Sequence, residues 1–278
     1  MWGIVPAAGI GSRIQPLAFS KELLPVGSVD DEDGVERPRA VSEYLVERMV
    51  VGGATKICFV ISPGKSDIVE YYGAGSAETP VCYVVQPRAG GLCDAIFRAV
   101  PLLGDDDEHV LVGLPDTIWF PEEGLAMLGT DDLSFLCFPV DQPERFDAVV
   151  SRPDGSVVEI QVKQPGATSS WVWGAFKIRA RALRELFELW CTRTPRDPYI
   201  GTLVNAWLER GGQARAVRHG RAYVDTGTVG GYREAIQLLE GVTKRGSPHL
   251  GGAERRQPAL RVANGPRVTI SRQGEPTP

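Results

Sequence analysis

Histidine is scarce in this chain of 278 residues, which contains only three. His109, His219 and His249 lie far apart without metal-ligand spacing, and no Ser-His-Asp or Cys-His set is apparent. The five cysteines are odd in number, include no Cys-x-x-Cys pair and mostly stand in apolar runs. Zinc sites, hydrolase triads and a disulfide scaffold are therefore poorly supported, and reduced cysteines predict a cytoplasmic protein.

Long hydrophobic runs and an excess of positive charge are missing as well. No apolar run approaches the roughly 20 residues of a membrane span, and the start lacks a basic segment followed by a long apolar one. The formal net charge is −5, so general attraction to nucleic acid is not expected. With 43% hydrophobic residues the chain can bury a large core. We expect no membrane and no nucleic-acid partner.

The most informative stretch is residues 2–26, WGIVPAAGIGSRIQPLAFSKELLPV. A short apolar run predicts a buried strand, and the glycines after it let backbone N–H groups approach a phosphate. Arg13 can grip phosphate oxygens with its planar fork, and Lys21 can act as a point charge. The stretch matches neither the P-loop nor the Gly-x-Gly-x-x-Gly fingerprint. An ordinary strand–turn–helix junction is the alternative interpretation.

The remaining pattern predicts an α/β protein. Apolar runs at 56–62, 81–87, 109–119 and 133–140 read as strands, and helical spacing over 41–50 ends at two glycines. Residues 153–155 lie between two alternating runs and predict a β-hairpin. The acidic run at 30–33 predicts a solvated loop.

Two aspartates close apolar runs. Asp116 follows the run that begins at His109, and in open α/β sheets ligands bind at the carboxyl ends of strands. A carboxylate there suits Mg²⁺ held against nucleotide phosphates. Asp225 stands in AYVDTGT, residues 222–228. Each aspartate is equally compatible with a simple capping role when it is considered alone.

Taken together, these motifs resemble the sugar-1-phosphate nucleotidyltransferases. The turn AAGIGSR, the lysine motif SKELLPV, the loop from Gln86 to Leu92, Asp116, the QVKQP motif and AYVDTGT follow one another in that family's order over residues 2–240. The thymidylyl- and uridylyltransferases of glucose 1-phosphate look most similar. The resemblance implies a three-layer α/β sandwich with a mostly parallel, Rossmann-like sheet and a small β annex.

The resemblance also implies roles for individual residues. The catalytic set would be Arg13, Lys21, Asp116 and Asp225, with Asp116 and Asp225 as ligands of Mg²⁺. The nucleotide-binding set would be Ala8, Gly9, Gly11, Ser12, Gln86, Gly91 and Leu92. The sugar-phosphate set would be Lys163, Gly174, Asp147 and Thr117. The expected substrates are a nucleoside triphosphate, with dTTP or UTP favoured, and a sugar 1-phosphate.

The chain departs from the family pattern mainly on the sugar side. Asp147 replaces a glycine, Val162 replaces the glutamate before Lys163, and Thr117 replaces the polar residue after Asp116. The sugar is therefore not defined by the sequence. A glycosyltransferase of related fold and a regulatory homologue that binds nucleotide sugars without turnover remain alternatives.

Composition changes near the C-terminus. Residues 243–278 contain seven Lys and Arg against two acidic residues and are dense in Gly and Pro. We expect a transferase domain over 1–242 followed by a basic tail, either mobile or closed as a small hairpin over 259–270. The resemblance also allows a homo-oligomer.

Overall fold

The apolar runs of the sequence become the inner strands of one large sheet. A computed structural model of the chain describes residues 1–31, 33–106 and 108–244. The strands are β1 (Trp2–Pro6), β2 (Pro25–Asp30), β3 (Glu36–Ala40), β4 (Lys56–Ile61), β5 (Val81–Val85), β6 (His109–Gly113), β7 (Thr117–Phe120), β8 (Leu133–Pro139), β9 (Asp147–Ser151), β10 (Val157–Val162), β11 (Trp171–Arg179), β12 (Ala214–Val217) and β13 (Ala222–Asp225). The helices are α1 (Val41–Val51), α2 (Ser66–Tyr72), α3 (Gly91–Phe97), α4 (Ala180–Thr192), α5 (Ile200–Leu208) and α6 (Val229–Lys244).

Within these residues nine strands form the main sheet, and its centre is parallel. The order β10-β9-β11-β6-β1-β4-β5 places β1 between β6 and β4, with parallel pairing on both sides and between β4 and β5. On the other side of β6, the strands β11, β9 and β10 pair antiparallel, while β8 joins β11 and carries β12. The sheet is thus a parallel core extended by an antiparallel half.

Helices cover both faces of this sheet. Ile4 of β1 packs into a core with α3, α4 and α5, whereas the next residue, Val5, packs into a second core with α1 and α2. Alternate side chains of a strand point to opposite faces, so one buried strand serves both cores. This arrangement confirms the predicted three-layer α/β class.

Two small sheets lie beside the main one. β7 and β13 pair antiparallel and enclose a third apolar core with α1 and α6. β2 and β3 also pair antiparallel, with Asp30 as the last residue of β2, and Asp31 and Asp33 lie exposed in the turn that joins them, as the predicted solvated loop requires. The turn is organised by Asp31, whose Oδ1 accepts hydrogen bonds from the backbone N–H groups of Asp33 and Val35 at 3.0 and 2.8 Å. An aspartate at a turn commonly accepts hydrogen bonds from the backbone in this way.

The predicted basic tail, residues 243–278, lies outside the described residues except for its first two positions. These two belong to α6, which runs past the predicted boundary at 242. The hairpin expected at 259–270 also lies outside the described residues. Among the helices that the structure does describe, none combines the length and apolarity needed to cross a bilayer.

Candidate active site

A cleft of about 450 Å³ opens at the carboxyl ends of the parallel strands. The chain segments that leave β1, β5 and β6 line it, as ligand sites of open α/β sheets require. Residues from the antiparallel half and from β13 form the opposite wall. Of the residues predicted for the site, the following line this cleft: Ala8, Gly9, Gly11, Ser12, Arg13, Lys21, Gln86, Gly91, Leu92, Asp116, Thr117, Asp147, Lys163 and Asp225.

The turn after β1 is shaped by glycine. Gly11 has φ +69°, and a Cβ placed on it would lie 2.7 Å from Lys21 Cδ. Its carbonyl accepts from the N–H of Ile14 at 3.0 Å, which closes the turn. Both the left-handed backbone and the close approach of Lys21 therefore require glycine at this position.

Lys21 is paired with Asp116 across the cleft floor. Its Nζ lies 2.5 Å from Asp116 Oδ2, and only 14% and 12% of the two side chains are exposed. Burial alone lowers the pKa of Lys21, but the charges of Asp116 and Glu22 outweigh it and raise that pKa. Burial likewise favours a raised pKa for Asp116, which the neighbouring Lys21 ammonium reverses, leaving it lowered. Both groups are thus charged at neutral pH.

The pairing of β7 with β13 brings the two aspartates together. Asp225 stands opposite Thr117, and the backbone N–H and hydroxyl of Thr226 both donate to the Asp116 carbonyl at 2.9 Å. A Cβ placed on Gly227 would lie 2.8 Å from Asp225 Oδ1 and 3.3 Å from Asp116 Oδ2. The carboxylates therefore face one point, although 108 residues separate them in the sequence.

Arg13 completes this constellation. Its Nη2 donates to Asp225 Oδ2 at 3.1 Å, and the side chain remains 60% exposed toward the cleft. The other oxygen of Asp225 accepts from the backbone N–H of Gly227 at 2.7 Å. Two cations and two carboxylates alternate here, so an incoming phosphate meets donors already held in place.

The carboxylate pair suits Mg²⁺ in its chemistry. Within the described ranges, no group of three or more His, Cys, Asp and Glu residues would hold a metal through protein ligands alone. Mg²⁺ commonly takes one or two carboxylates and completes its octahedron with phosphate oxygens and water. Asp116 and Asp225 provide that number of hard oxygen ligands in the same cleft as the glycine turn after β1. These residues fit the ion when a nucleotide supplies the remaining ligands.

Gln86, Gly91 and Leu92 line the end of the cleft beside β5 and α3. Gln86 is 4% exposed, and its Nε2 donates to Asp94 Oδ2 at 2.7 Å and to the Gly91 carbonyl at 3.1 Å. Gly91 has φ +86°, and a Cβ there would lie 2.8 Å from the backbone of Pro198. The loop is therefore packed tightly against the segment before α5.

The cleft also contains residues predicted for the sugar phosphate. Lys163 has φ +45°, and its Nζ lies 4.5 Å from the ring centre of Tyr199. Asp147 Oδ2 accepts from Trp173 Nε1 at 3.4 Å. Burial raises the pKa of Asp147, and the Trp173 hydrogen bond and the Lys163 charge oppose that shift. The Thr117 hydroxyl donates a hydrogen bond to the Leu114 carbonyl at 2.9 Å, so its proton is not available to donate to a ligand.

Gly174 differs from the other predicted residues because it does not line the cleft. A Cβ placed on it would lie 2.6 Å from the Tyr223 ring and 2.7 Å from the Phe138 ring. It supports the cleft wall from behind by leaving room for Tyr223, which itself lines the cleft.

Several cleft residues were not found from the sequence. These include Trp173, Tyr199 and Tyr223. Tyr223 offered a signal, since it stands two residues before Asp225 on a strand and so shares its face. Trp173 offered none, because a tryptophan in an apolar strand is most simply interpreted as core.

Comparison with known proteins found a matching family model and similar curated proteins. The family model described as nucleotidyl transferase matches residues 2–241. A putative UTP–glucose-1-phosphate uridylyltransferase of Bacillus subtilis is 33% identical over 139 residues, covering 42% of this chain and 47% of that protein. The chain thus spans about half the length of the curated relatives it matches.

Solved structures resemble the chain over a larger share of its length. A putative glucose-1-phosphate thymidylyltransferase of Bacillus anthracis, in complex with a sucrose, aligns with TM-score 0.73 and 25% identity, covering 86% of this chain and 95% of that one. A UTP-bound UGPase of Acinetobacter baumannii aligns with TM-score 0.69 and 21% identity, covering 90% and 95%. At that identity the second likeness supports the fold alone.

Proposed function

Because the chain belongs to the nucleotidyl transferase family, we propose that it transfers a nucleoside monophosphate from UTP or dTTP to a sugar 1-phosphate. The products are an NDP-sugar and pyrophosphate. The observation that carries this proposal is the alternating set of Lys21–Asp116 and Arg13–Asp225 ion pairs beside the glycine turn. Such a set neutralises and orients a triphosphate, and it needs no protein nucleophile.

In this reaction a phosphate oxygen of the sugar 1-phosphate attacks the α-phosphorus of the nucleotide. The bond from that phosphorus to the bridging oxygen of the β-phosphate breaks, and pyrophosphate leaves with the electron pair. Arg13 and Lys21 stabilise the charge that develops on the leaving group, since both cations reach the cleft from the phosphate-binding turn and the turn that follows it. Gly9, Gly11, Ala8 and Ser12 place backbone donors around the same phosphates.

We propose that Asp116 and Asp225 hold Mg²⁺, which neutralises triphosphate charge when bound. The support is their shared orientation and the pairing of β7 with β13, which fixes them relative to each other. In this structure Lys21 and Arg13 neutralise the charge of the two carboxylates. A bound Mg²⁺ would neutralise that charge in their place and leave both side chains free to contact phosphate.

We propose that Lys163, which lines the same cleft, orients the phosphate of the acceptor. Asp147 and Thr117 would contact the sugar, and Gly174 would act indirectly by leaving space for Tyr223. The aromatic rings of Phe146, Trp173 and Tyr199 in the same part of the cleft suit the apolar face of a pyranose.

We further propose that residues 1–242 form the transferase domain and that the protein works in the cytoplasm as a homo-oligomer. The family match over residues 2–241 supports the domain proposal. Five cysteines that form no disulfide among the described residues suit a reducing compartment.

The test is pyrophosphate release from UTP, dTTP, CTP, ATP or GTP, each combined with a panel of sugar 1-phosphates and Mg²⁺. We expect one pair to give release that a chelator abolishes. Lys21→Met should remove this release, whereas Lys177→Met, the same change on β11 outside the cleft, should leave it. Bound nucleotide without pyrophosphate release from any pair would instead favour a regulatory protein. Release of the nucleoside diphosphate from an NDP-sugar donor would favour a glycosyltransferase.

A further inference from the structure

The amide of Gln86 is held in one orientation by its surroundings. Among the described residues that line the cleft, Gln86 is the one with a carboxamide. Its Nε2 lies 2.7 Å from Asp94 Oδ2 and 3.1 Å from the Gly91 carbonyl oxygen. Asp94 is 8% exposed, and its second oxygen accepts from Arg98 Nη2 at 3.0 Å. The carboxylate therefore pairs with Arg98, is largely enclosed and is aimed at Gln86.

Chemistry alone dictates which end of the amide meets Asp94. A carboxylate paired with arginine and a peptide carbonyl both accept hydrogen bonds and cannot donate them. The amide NH₂ must therefore face them. Its oxygen is consequently turned away from Asp94.

That oxygen is an acceptor without a protein donor. In the part of the chain that the structure describes, no group donates to Gln86 Oε1, and the atom is not among the enclosed polar atoms that lack partners. The oxygen is instead at least partly accessible, and Gln86 lines the cleft together with the apolar side chains of Ala8, Leu92 and Ala95. A flat ring with an N–H at its edge satisfies such a site.

The loop is built to admit Asp94. A Cβ placed on Gly90 would lie 2.8 Å from both Cβ and Oδ2 of Asp94, so glycine at 90 leaves the room that this carboxylate occupies. The position of Asp94 in the first turn of α3 then fixes its distance from the end of β5.

We propose that Asp94 is a positioning residue that presents Gln86 Oε1 to the base, and that the site thereby prefers a base with a ring N–H. Uracil and thymine carry this N–H at N3, whereas cytosine has an unprotonated acceptor there. Setting two acceptors against each other leaves both unsatisfied in a partly buried site. This inference rests on the proposed function only in taking the ligand to be a nucleoside triphosphate.

The experiment measures equilibrium binding of UTP and of CTP to the full chain by calorimetry, without sugar phosphate. We expect UTP to bind about tenfold to a hundredfold more tightly than CTP. In Asp94→Asn the new amide can donate to Gln86 and let its amide reverse, so the preference should fall to about threefold or less. Arg98→Ala is the matched control: it removes the same ion pair but keeps the carboxylate on Gln86, and should retain the preference.

The outcomes separate the two proposals. Selective UTP binding without turnover would sink the proposed activity and leave the role of Asp94 intact. Equal binding of UTP and CTP by the wild-type protein would overturn the inference, and this measurement needs no variant to fold. A folded Asp94→Asn protein with the wild-type preference would also overturn it. Where turnover is found, the KM for the sugar 1-phosphate should stay unchanged in Asp94→Asn. A merely structural loss would change this KM as well.

Discussion

Lys65 and Glu22 form a buried ion pair beside Ala7, the residue that follows β1. The two charged atoms lie 2.6 Å apart, and the residues are 8% and 1% exposed. Lys65 Nζ also donates to the Ala7 carbonyl at 2.6 Å. One ammonium therefore ties the start of α2 to the residue that follows β1 and to Glu22, the neighbour of Lys21.

Removing the positive charge of this pair should be costly. Lys65→Met leaves the Glu22 carboxylate buried without its partner, and such a loss typically destabilises a protein by about 3–5 kcal/mol. Urea unfolding measures it. Arg181→Met is the control, because Arg181 pairs with Asp132 at 3.1 Å with its side chain 54% exposed, and should lose less than about 1 kcal/mol. Equal losses in the two variants would contradict the structural role of Lys65.

Glu43 should make the free energy of unfolding depend on pH in the acidic range. Its two oxygens accept from Arg37 Nη1 and Nη2 at 2.9 and 2.7 Å, and the Ala40 N–H adds a bond of 2.9 Å. Burial favours a raised pKa, but these bonds, with that from Tyr71, lower the pKa of Glu43 below its ordinary 4.5. A carboxyl with a lowered folded pKa stabilises the fold above its unfolded pKa, and the contribution is lost as pH falls through the folded value.

We therefore expect Glu43→Gln to lower the free energy of unfolding by about 2 kcal/mol at neutral pH. The difference from wild type should shrink as the pH falls below 4.5. Unfolding in urea at a series of pH values follows it. Glu185→Gln, on an exposed pair with Arg181 at 3.8 Å, is the control and should change little at any pH. A constant gap down to the lowest pH would refute the assignment.

Much of this fold follows from local patterns. The strands β1, β4, β5, β6 and β8 are short apolar runs, and Asp116 could be placed at a strand end because such a run stops there. The pairing of β2 with β3 could not be predicted. The charged residues around Asp31 have no strand pattern, and the hydrogen bonds that organise the turn appear only in the structure.

The site is harder to predict because its geometry depends on distant contacts. The motifs suggested that Asp116 and Asp225 act together, but the cause, pairing of β7 with β13, joins segments about a hundred residues apart. Asp94 and Lys65 carried no motif, and their importance appears only when Gln86 and Glu22 are found beside them. Short-range periodicity contains no information on such pairs.

Asp225 should be required for turnover and dispensable for folding. Asp225→Ala removes one proposed Mg²⁺ ligand, and metal charge stabilisation is worth several kcal/mol, so kcat should fall by roughly a thousandfold. Its ion pair with Arg13 is largely exposed on the arginine side and adds less than about 1 kcal/mol of stability. Pyrophosphate release against Mg²⁺ concentration and thermal melting measure the two effects.

Asp131→Ala is the control for that variant. Asp131 meets Arg215 at 3.1 Å, the same distance as Asp225 from Arg13, but away from the cleft. It should keep full activity. An active Asp225→Ala enzyme would remove this residue from the metal site.

Comparing alanine substitutions at Gly11 and Gly34 separates the effect of backbone strain from the effect of a displaced Lys21. Gly11→Ala and Gly34→Ala both force alanine into a left-handed conformation, at φ +69° and +74°, which costs about 1–2 kcal/mol in each case. Only at position 11 does the new methyl meet another residue, lying 2.7 Å from Lys21 Cδ, whereas nothing lies within 4 Å at position 34. Lys21 must then move, and a displacement of about 1 Å can lower turnover a hundredfold. We expect similar melting temperatures but a loss of kcat/KM of that order in Gly11→Ala alone; equal activity in the two variants would show that Lys21 need not hold this position.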